Sequence, residues 1–547
     1  MSKYSYPPNF KLARKWQDRI ITKAPIWCSV DLRDGNQSLP KPMNPEQKLE
    51  YFKMLLGIGF KEIEVAYPAA SKADYNFVRK LIDDKLIPDD VAIMGLTQCR
   101  QDLIYKTMSA FDDVKNGIIH SYIATSPLHM ENVFHLRPEQ VIAKAVEATK
   151  LIKLLAGDMR DSNIRYEFSA EEFSDTDIGF AVEICAAVYE AWGEKMIINL
   201  PATVERRPPN QYADMVEMFC AKFPYRDRTI ISVHCHNDQG MAAAATEFGL
   251  LAGADRVEGD LFGNGERTGN VSLVTLAGNL HSRSIATGLD LTHLENIRNT
   301  VEKLTNLPVH HRAPYAGELV FTAFSGSHQD AINKTMPKIK SNETPWRVSY
   351  LTVDPADFGR SYEKIIGITS QSGRGGVAWI LENEYGLHIP KAMLSDVGEV
   401  IKQYAEKSDH ELTAKEVYEI FRENFISICE PIRLLRYLPR PIESIPGAIN
   451  GELEILYNEE KKSAIAKANG PVEAFVKALR IIGLGDFQIG DYQSHAIAKG
   501  ENAQAIAYVP LEIMGNGTVW GAAIDANIEQ AAILAIISAL NRSLQKK

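Results

Sequence analysis

Cysteine is scarce: six in 547 residues, with no C-x-x-C pair and no regular spacing, which argues against a disulfide framework and for reduced thiols. Long apolar runs are missing too. No stretch approaches the roughly 20 apolar residues of a membrane span. The opening residues, Met1-Ser2-Lys3-Tyr4-Ser5-Tyr6-Pro7-Pro8, hold no apolar core of the signal-peptide kind. A cytoplasmic protein with no membrane partner is expected. Positive charge is not in excess either: 60 Lys and Arg stand against 70 Asp and Glu, spread without an acidic or basic tail, which argues against nucleic acid as a partner. No low-complexity segment is present, and 24% charged residues with 9% aromatics is ordinary globular composition, so disorder is not expected.

What is present is alternation. Between residues 25 and about 290, short apolar runs at 25–31, 61–66, 91–97, 117–124, 163–169, 195–201, 229–236 and 256–262 are separated by helical patterns such as Pro45–Ile58, Pro138–Ala156 and Thr176–Trp192. Eight strands over about 250 residues match a (β/α)8 TIM barrel, with an open doubly wound sheet as the competing arrangement. Residues 1–305 are therefore expected to form the barrel, 306–436 a mixed connecting region, and 437–547 a C-terminal α+β domain. Leu438-Pro439-Arg440-Pro441 reads as the linker to that last domain. Its order of strands and helices suggests a degenerate internal repeat.

A barrel demands functional groups at the C-terminal ends of its strands. Arg33 and Asp34 follow the first strand, Gln98 and Arg100 the third, and His120 lies in the fourth. Glu167 and Ser169 close the fifth, Asn199 and Thr203 flank the end of the sixth, and His234 and His236 end the seventh. Residues two apart on a strand face one way, so His234 and His236 point together while Cys235 points into the barrel wall. Two imidazoles and the Asp34 carboxylate suit a divalent ion, with Asn270 able to add a neutral oxygen. An ion so held leaves room for a 2-oxo acid, and Arg33 beside it can bind the oxygen that gains charge. The glycine loop 263–270 lies after the eighth strand with the wrong spacing for dinucleotide binding, and His310-His311 reads as surface.

Leu32-Arg33-Asp34-Gly35-Asn36-Gln37, His234-Cys235-His236-Asn237-Asp238 and Gly263-Asn264-Gly265-Glu266-Arg267-Thr268-Gly269-Asn270 resemble the signature segments of the DRE-type metallo-condensing enzymes. Leu96-Thr97-Gln98-Cys99-Arg100, 199–205 and 321–332 extend the match, and nearly the whole chain is similar to the long form of the 2-isopropylmalate synthase family. The resemblance implies condensation of acetyl-CoA with 2-oxoisovalerate, the first committed step of leucine biosynthesis, with leucine as feedback inhibitor. It implies Asp34, His234, His236 and Asn270 as ligands of Mg2+, Mn2+ or Zn2+; K+ activation is left open. Arg33 and Glu167 are then placed at the catalytic centre, and His120, Thr203, Leu96 and Asn199 with the oxo acid. His328 and Tyr350 belong to a segment that reaches the partner's site in a homodimer. Homocitrate and citramalate synthases share the metal set and are the alternatives within the family. A lyase of the family has no need of the final domain.

Overall fold

The computed structural model describes residues 7, 10, 12–323, 325–339, 345–360, 374–408, 412–497, 504–513 and 517–545. The chain divides into two compact units, residues Met1–Val320 with Pro355–Arg360, and Phe321–Asp354 with Ser361–Lys547.

The first unit is a closed barrel of eight parallel strands in sequence order: β1 (Ile26–Ser29), β2 (Glu62–Ala66), β3 (Ala92–Gln98), β4 (Asn116–Ala124), β5 (Asn163–Glu171), β6 (Met196–Ala202), β7 (Thr229–Cys235) and β8 (Arg256–Gly259). The strands are buried along almost their whole length, as expected when helices cover a parallel sheet. The helices are locally specified. Pro45–Ile58 begins with Pro at its first turn and a reciprocal Asn44/Gln47 capping box, and buries Tyr51, Phe52, Leu55 and Ile58. The barrel interior is layered. Cys28, Val30, Ala92, Met94, Ile118 and Ile197 form an apolar cluster. One or two steps of strand period away come Arg256, Glu258, Glu167 and His120, all buried.

Three strand ends differ from the sequence expectation by two residues or more, all at the mouth. β1 stops at Ser29, and Asp31–Gly35 winds into one wide π-helical turn. β5 runs on to Glu171, and β8 stops at Gly259. Beyond β8 the glycine loop folds back so that Asn270 pairs with His236. Gly269 makes this close return with a left-handed backbone (φ +92°), where a Cβ would collide with the Gly263 carbonyl.

The second unit carries two antiparallel sheets. One has the order β11 (Glu460–Ala468), β10 (Ile449–Tyr457), β9 (Ile432–Pro441). The other places β14 (Ala505–Ile513) beside β12 (Phe487–Ile489), β13 (Gln493–Ala496) and β15 (Gly517–Asp525). Each of the two long hairpins, β10–β11 and β14–β15, is followed by a helix, Pro471–Ile481 and Ile528–Gln545, which is the repeated order seen in the sequence. β14 is buried on both faces. Ala507, Val509 and Leu511 join the core of the final helix, while Ile506 and Tyr508 pack with helices Arg374–Tyr385, Leu394–Ala405 and Ala414–Phe425.

The segment 438–441 is no linker. It finishes β9, a strand at the sheet's edge, where proline's missing N–H is tolerated. The boundary expected at 437 thus falls within a strand.

Candidate active site

The strand ends converge on a cavity of about 290 Å³ at the barrel mouth. Its walls include Arg33, Asp34, Leu96, His120, Asn199, Thr203, His234 and His236, eight of the residues singled out from sequence. Tyr122, Ser169, Glu171, Gln37, Glu266 and Arg267 also line it.

At one side of this cavity Asp34, His234 and His236 bring one ligand atom each within 4.8 Å of one another. The two rings lie with centroids 5.2 Å apart, so the strand parity holds, and Cys235 is buried in the wall. His234 Nε2 lies 3.4 Å from Asp34 Oδ2, and its Nδ1 is 3.1 Å from Glu258 Oε2. A carboxylate on the outer nitrogen fixes the ring for ligation through the other. His236 differs, since its Nδ1 is buried with no hydrogen-bond partner among the described residues. Asn270 lies beside them, its Nδ2 donating to Asp34 Oδ2 at 2.9 Å while its Oδ1 is buried and unpartnered. Two unpartnered buried polar atoms beside a carboxylate and a second imidazole are the donor set that a divalent ion satisfies. The residues therefore fit the group.

The charges are set by neighbours. Burial pushes the Asp34 carboxyl upward, but Arg33 and His234 outweigh it and hold it well below the usual carboxylate range. Burial lowers His234, but its contacts with Asp34 and Glu258 prevail and push it to about 10. Burial, then the neighbouring His234, lowers His236 to about 3, which keeps it neutral. In the metal-free state a proton on His234 takes the place an ion would fill beside Asp34.

From Asp34 a chain of contacts runs through Arg33 and Glu64. Arg33 bonds both Glu64, through its Nε, and Asp34, through Nη1 at 3.0 Å. Glu64 also meets His120 Nδ1 at 2.9 Å, and His120 Nε2 meets Ser169 Oγ at 2.7 Å. Asn199 Nδ2 donates to the same Ser169 Oγ at 2.9 Å and to Glu258 Oε2 at 3.2 Å. Thr203 takes the backbone N–H of Glu172 on its Oγ1 at 2.9 Å.

Glu167 is placed differently from the sequence expectation. It is buried below the cavity, off its wall, where both its oxygens lie 3.3 Å from Arg256. Glu167, Ser169 and Glu171 share one face of β5 at successive depths, and Glu171 is the carboxylate at the mouth. Burial raises the Glu171 carboxyl, which suits proton transfer. The sequence reading stopped that strand at 169; one more i+2 step reaches Glu171. Glu64 and Glu258 were also missed, and their signal was charge at alternate positions of two short strands, Glu62 and Glu64 in β2 and Arg256 and Glu258 in β8. His328 and Tyr350 lie in the second unit, both exposed and stacked with centroids 3.9 Å apart, with Tyr350 at a left-handed φ of +63°. His310 and His311 are exposed, as expected.

Comparison with known proteins agrees with this layout. Residues 24–301 match the HMGL-like family model, 318–382 the alpha-isopropylmalate synthase post-catalytic domain, and 411–544 the LeuA allosteric (dimerisation) domain. The chain is 45% identical over its full length to the 2-isopropylmalate synthase of Clostridium acetobutylicum, covering 100% of both. It is 46% identical to that of Ralstonia nicotianae, covering 98% of this chain and 94% of the relative, and 46% identical to that of Pseudomonas putida W619, covering 100% and 98%. The crystal structure of a Bacillus subtilis HMG-CoA lyase superposes with a TM-score of 0.42 at 20% identity, over 52% of this chain and 95% of that one. With relatives matched end to end and three family models matched in succession along it, the chain belongs to the 2-isopropylmalate synthases, acyl-transferring condensing enzymes built on a metal-dependent barrel.

Proposed function

We propose that this chain condenses acetyl-CoA with 2-oxoisovalerate and water to give 2-isopropylmalate and CoA, under feedback by leucine. The observation that carries the reading is the meeting of Asp34, His234 and His236 with Arg33 and His120 around one cavity. Asp34, His234, His236 and the Asn270 oxygen would hold the divalent ion. Once bound, the ion supplies Lewis-acid polarisation of a keto group.

The chain's own residues do the rest. Arg33 is fixed by Asp34 and Glu64, and so presents a preorganised guanidinium where the keto oxygen gains negative charge. Thr203, whose oxygen accepts the Glu172 N–H, keeps its hydroxyl hydrogen to donate to the oxo acid; His120, held at both nitrogens, lines the pocket beside it, while Leu96 gives an apolar surface for its isopropyl group. Glu171 is the carboxylate placed to move a proton at the acetyl methyl group. One such acid–base group contributes about 10²–10⁴-fold. His328 and Tyr350 are exposed together, and in a homodimer they would serve the partner subunit's cavity during thioester hydrolysis.

The C-terminal sheets and helices would bind leucine. The match to an allosteric (dimerisation) domain supports this, as does the helix start at Gly470-Pro471, where Gly470 provides no side-chain cap and the first-turn N–H groups suit a carboxylate. Release of free thiol from acetyl-CoA, measured across a panel of 2-oxo acids with and without leucine, tests the reading. It predicts preference for 2-oxoisovalerate and inhibition by leucine. Preference for 2-oxoglutarate or pyruvate would assign the chain to homocitrate or citramalate synthesis instead.

A further inference from the structure

Asn270 is gripped by two carboxylates through the same nitrogen. Its Nδ2 donates to Asp34 Oδ2 at 2.9 Å and to Asp260 Oδ2 at 2.5 Å, which engages both amide hydrogens. Its Oδ1 is left buried without a partner among the described residues. An amide in a polar pocket can rotate by half a turn and exchange its oxygen for its nitrogen. Here that rotation would turn the oxygen onto two carboxylates, so the observed orientation is enforced.

The two grips are unequal. Asp34 is itself a proposed ligand of the ion, whereas Asp260 is anchored within the loop that carries Asn270. The Asp260 backbone N–H donates to Val271 at 3.2 Å, and its carbonyl accepts from Gly263 at 3.2 Å and Leu273 at 2.9 Å. Its side chain is fully buried, and Oδ1 lies against Gly35, where a Cβ would sit 2.6 Å away. Asp260 is thus wedged between the turn that bears Asp34 and the loop that bears Asn270.

We propose that Asp260 is a positioning residue that holds the Asn270 amide with its oxygen free for the divalent ion. The assignment rests on reading Asn270 as a ligand, and the two can be tested apart. The metal-free full chain is titrated with Mn2+, and free Mn2+ is followed by electron paramagnetic resonance. Circular dichroism melts in EDTA check each variant's fold. Asp260→Ala should weaken Mn2+ binding by about 10–100-fold, the usual cost of losing an outer-shell partner, and Asn270→Ala, which removes the ligand oxygen itself, by at least as much. The double variant should bind no more weakly than Asn270→Ala alone. Asp260→Asn, which keeps an oxygen acceptor for the amide, should stay close to wild type.

Unchanged affinity in Asn270→Ala would remove Asn270 from the ligand set and this assignment with it. Weakened binding in Asn270→Ala but not in Asp260→Ala would overturn the role of Asp260 alone. So would an Asp260→Ala loss that is undiminished in the Asn270→Ala background, or an Asp260→Asn loss as large as that of alanine, because Asp260 would then act by charge. Should Asp260→Ala fail to fold, Asp260→Ser, too short to reach the amide, replaces it in every comparison.

Discussion

Inside the barrel, Arg256 is fully buried and bonded to Glu62 at 2.6 Å, Glu258 at 2.5 Å and Glu167 at 3.3 Å. Inside the C-terminal unit, Phe475, Leu479, Val509, Leu511, Ile533, Ile536 and Ile537 form an apolar core around the final helix, whose own buried polar residues Ser538, Asn541 and Arg542 bond the Phe425 carbonyl, the Ile432 carbonyl and Asp396. Removing charges from water is costly, and the barrel recovers that cost only while each partner is in place. The return is position. Glu258 bonds Arg256 and orients His234, and Glu64 orients both Arg33 and His120. The C-terminal core rests mainly on non-directional burial, and its buried Ser538 and Asn541 tie the final helix to neighbouring backbone rather than orient cavity side chains. One interior therefore tolerates little change of charge, the other little change of volume.

Arg256→Met breaks the contrast most severely. It takes the shared cation from three buried carboxylates, leaving Glu62 only Arg165, Glu258 only His234 and Glu167 no arginine or lysine among the described residues, and should cost about 3–5 kcal/mol; it should also weaken metal binding because Glu258 loses its anchor. Chemical denaturation and a metal titration read the two effects. A variant with wild-type stability would show that the polar interior is not the barrel's support.

In the other unit, Ile536→Ala removes a fully buried side chain and should cost about 2–5 kcal/mol. Saturating metal should leave this loss unchanged, because no metal-oriented group lies in that core. A loss of under about 1 kcal/mol would mean that the site collapses around the cavity.

The smallest effect is one of pH. His236 is held neutral down to about 3, while an unfolded histidine titrates near 6.5. Between these values the unfolded chain binds one more proton than the folded one, so stability falls on acidification. This histidine's contribution is fully present above pH 6.5 and is lost towards pH 3. His234, raised in the fold, keeps its own contribution throughout this window. In EDTA, His236→Gln should flatten the fall between pH 6 and 5 by up to about 1.4 kcal/mol per pH unit. Parallel curves for wild type and variant would contradict the neutral buried His236.

The barrel was legible because alternation of apolar runs and helical patterns is a sum over many residues, and the two histidines because strand parity is strict. Errors gathered where the periodicity ends. The family resemblance put Glu167 at the catalytic centre, and taking β5 to stop at 169 left unread Glu171, the β5 carboxylate that lines the cavity, one i+2 step beyond Ser169. The prolines at 439 and 441 read as a linker, since sequence alone does not say that the strand carrying them lies at an edge. Arg256, Glu258 and Glu64 went unread because a charge within a strand suggests a solvent-facing side, whereas this closed barrel has a polar interior. Asp260 was passed over because its partner Asn270 is ten residues away, across a loop whose return depends on Gly269.

The central claim is that Asp34, His234 and His236 hold one divalent ion that the chemistry requires. Metal content of the purified chain and of His236→Ala, measured by mass spectrometry on samples with matching circular dichroism spectra, tests it directly. The account predicts one ion per wild-type chain, and in the variant an intact fold with most of the metal and essentially all thiol release gone. Full metal stoichiometry in His236→Ala would contradict it.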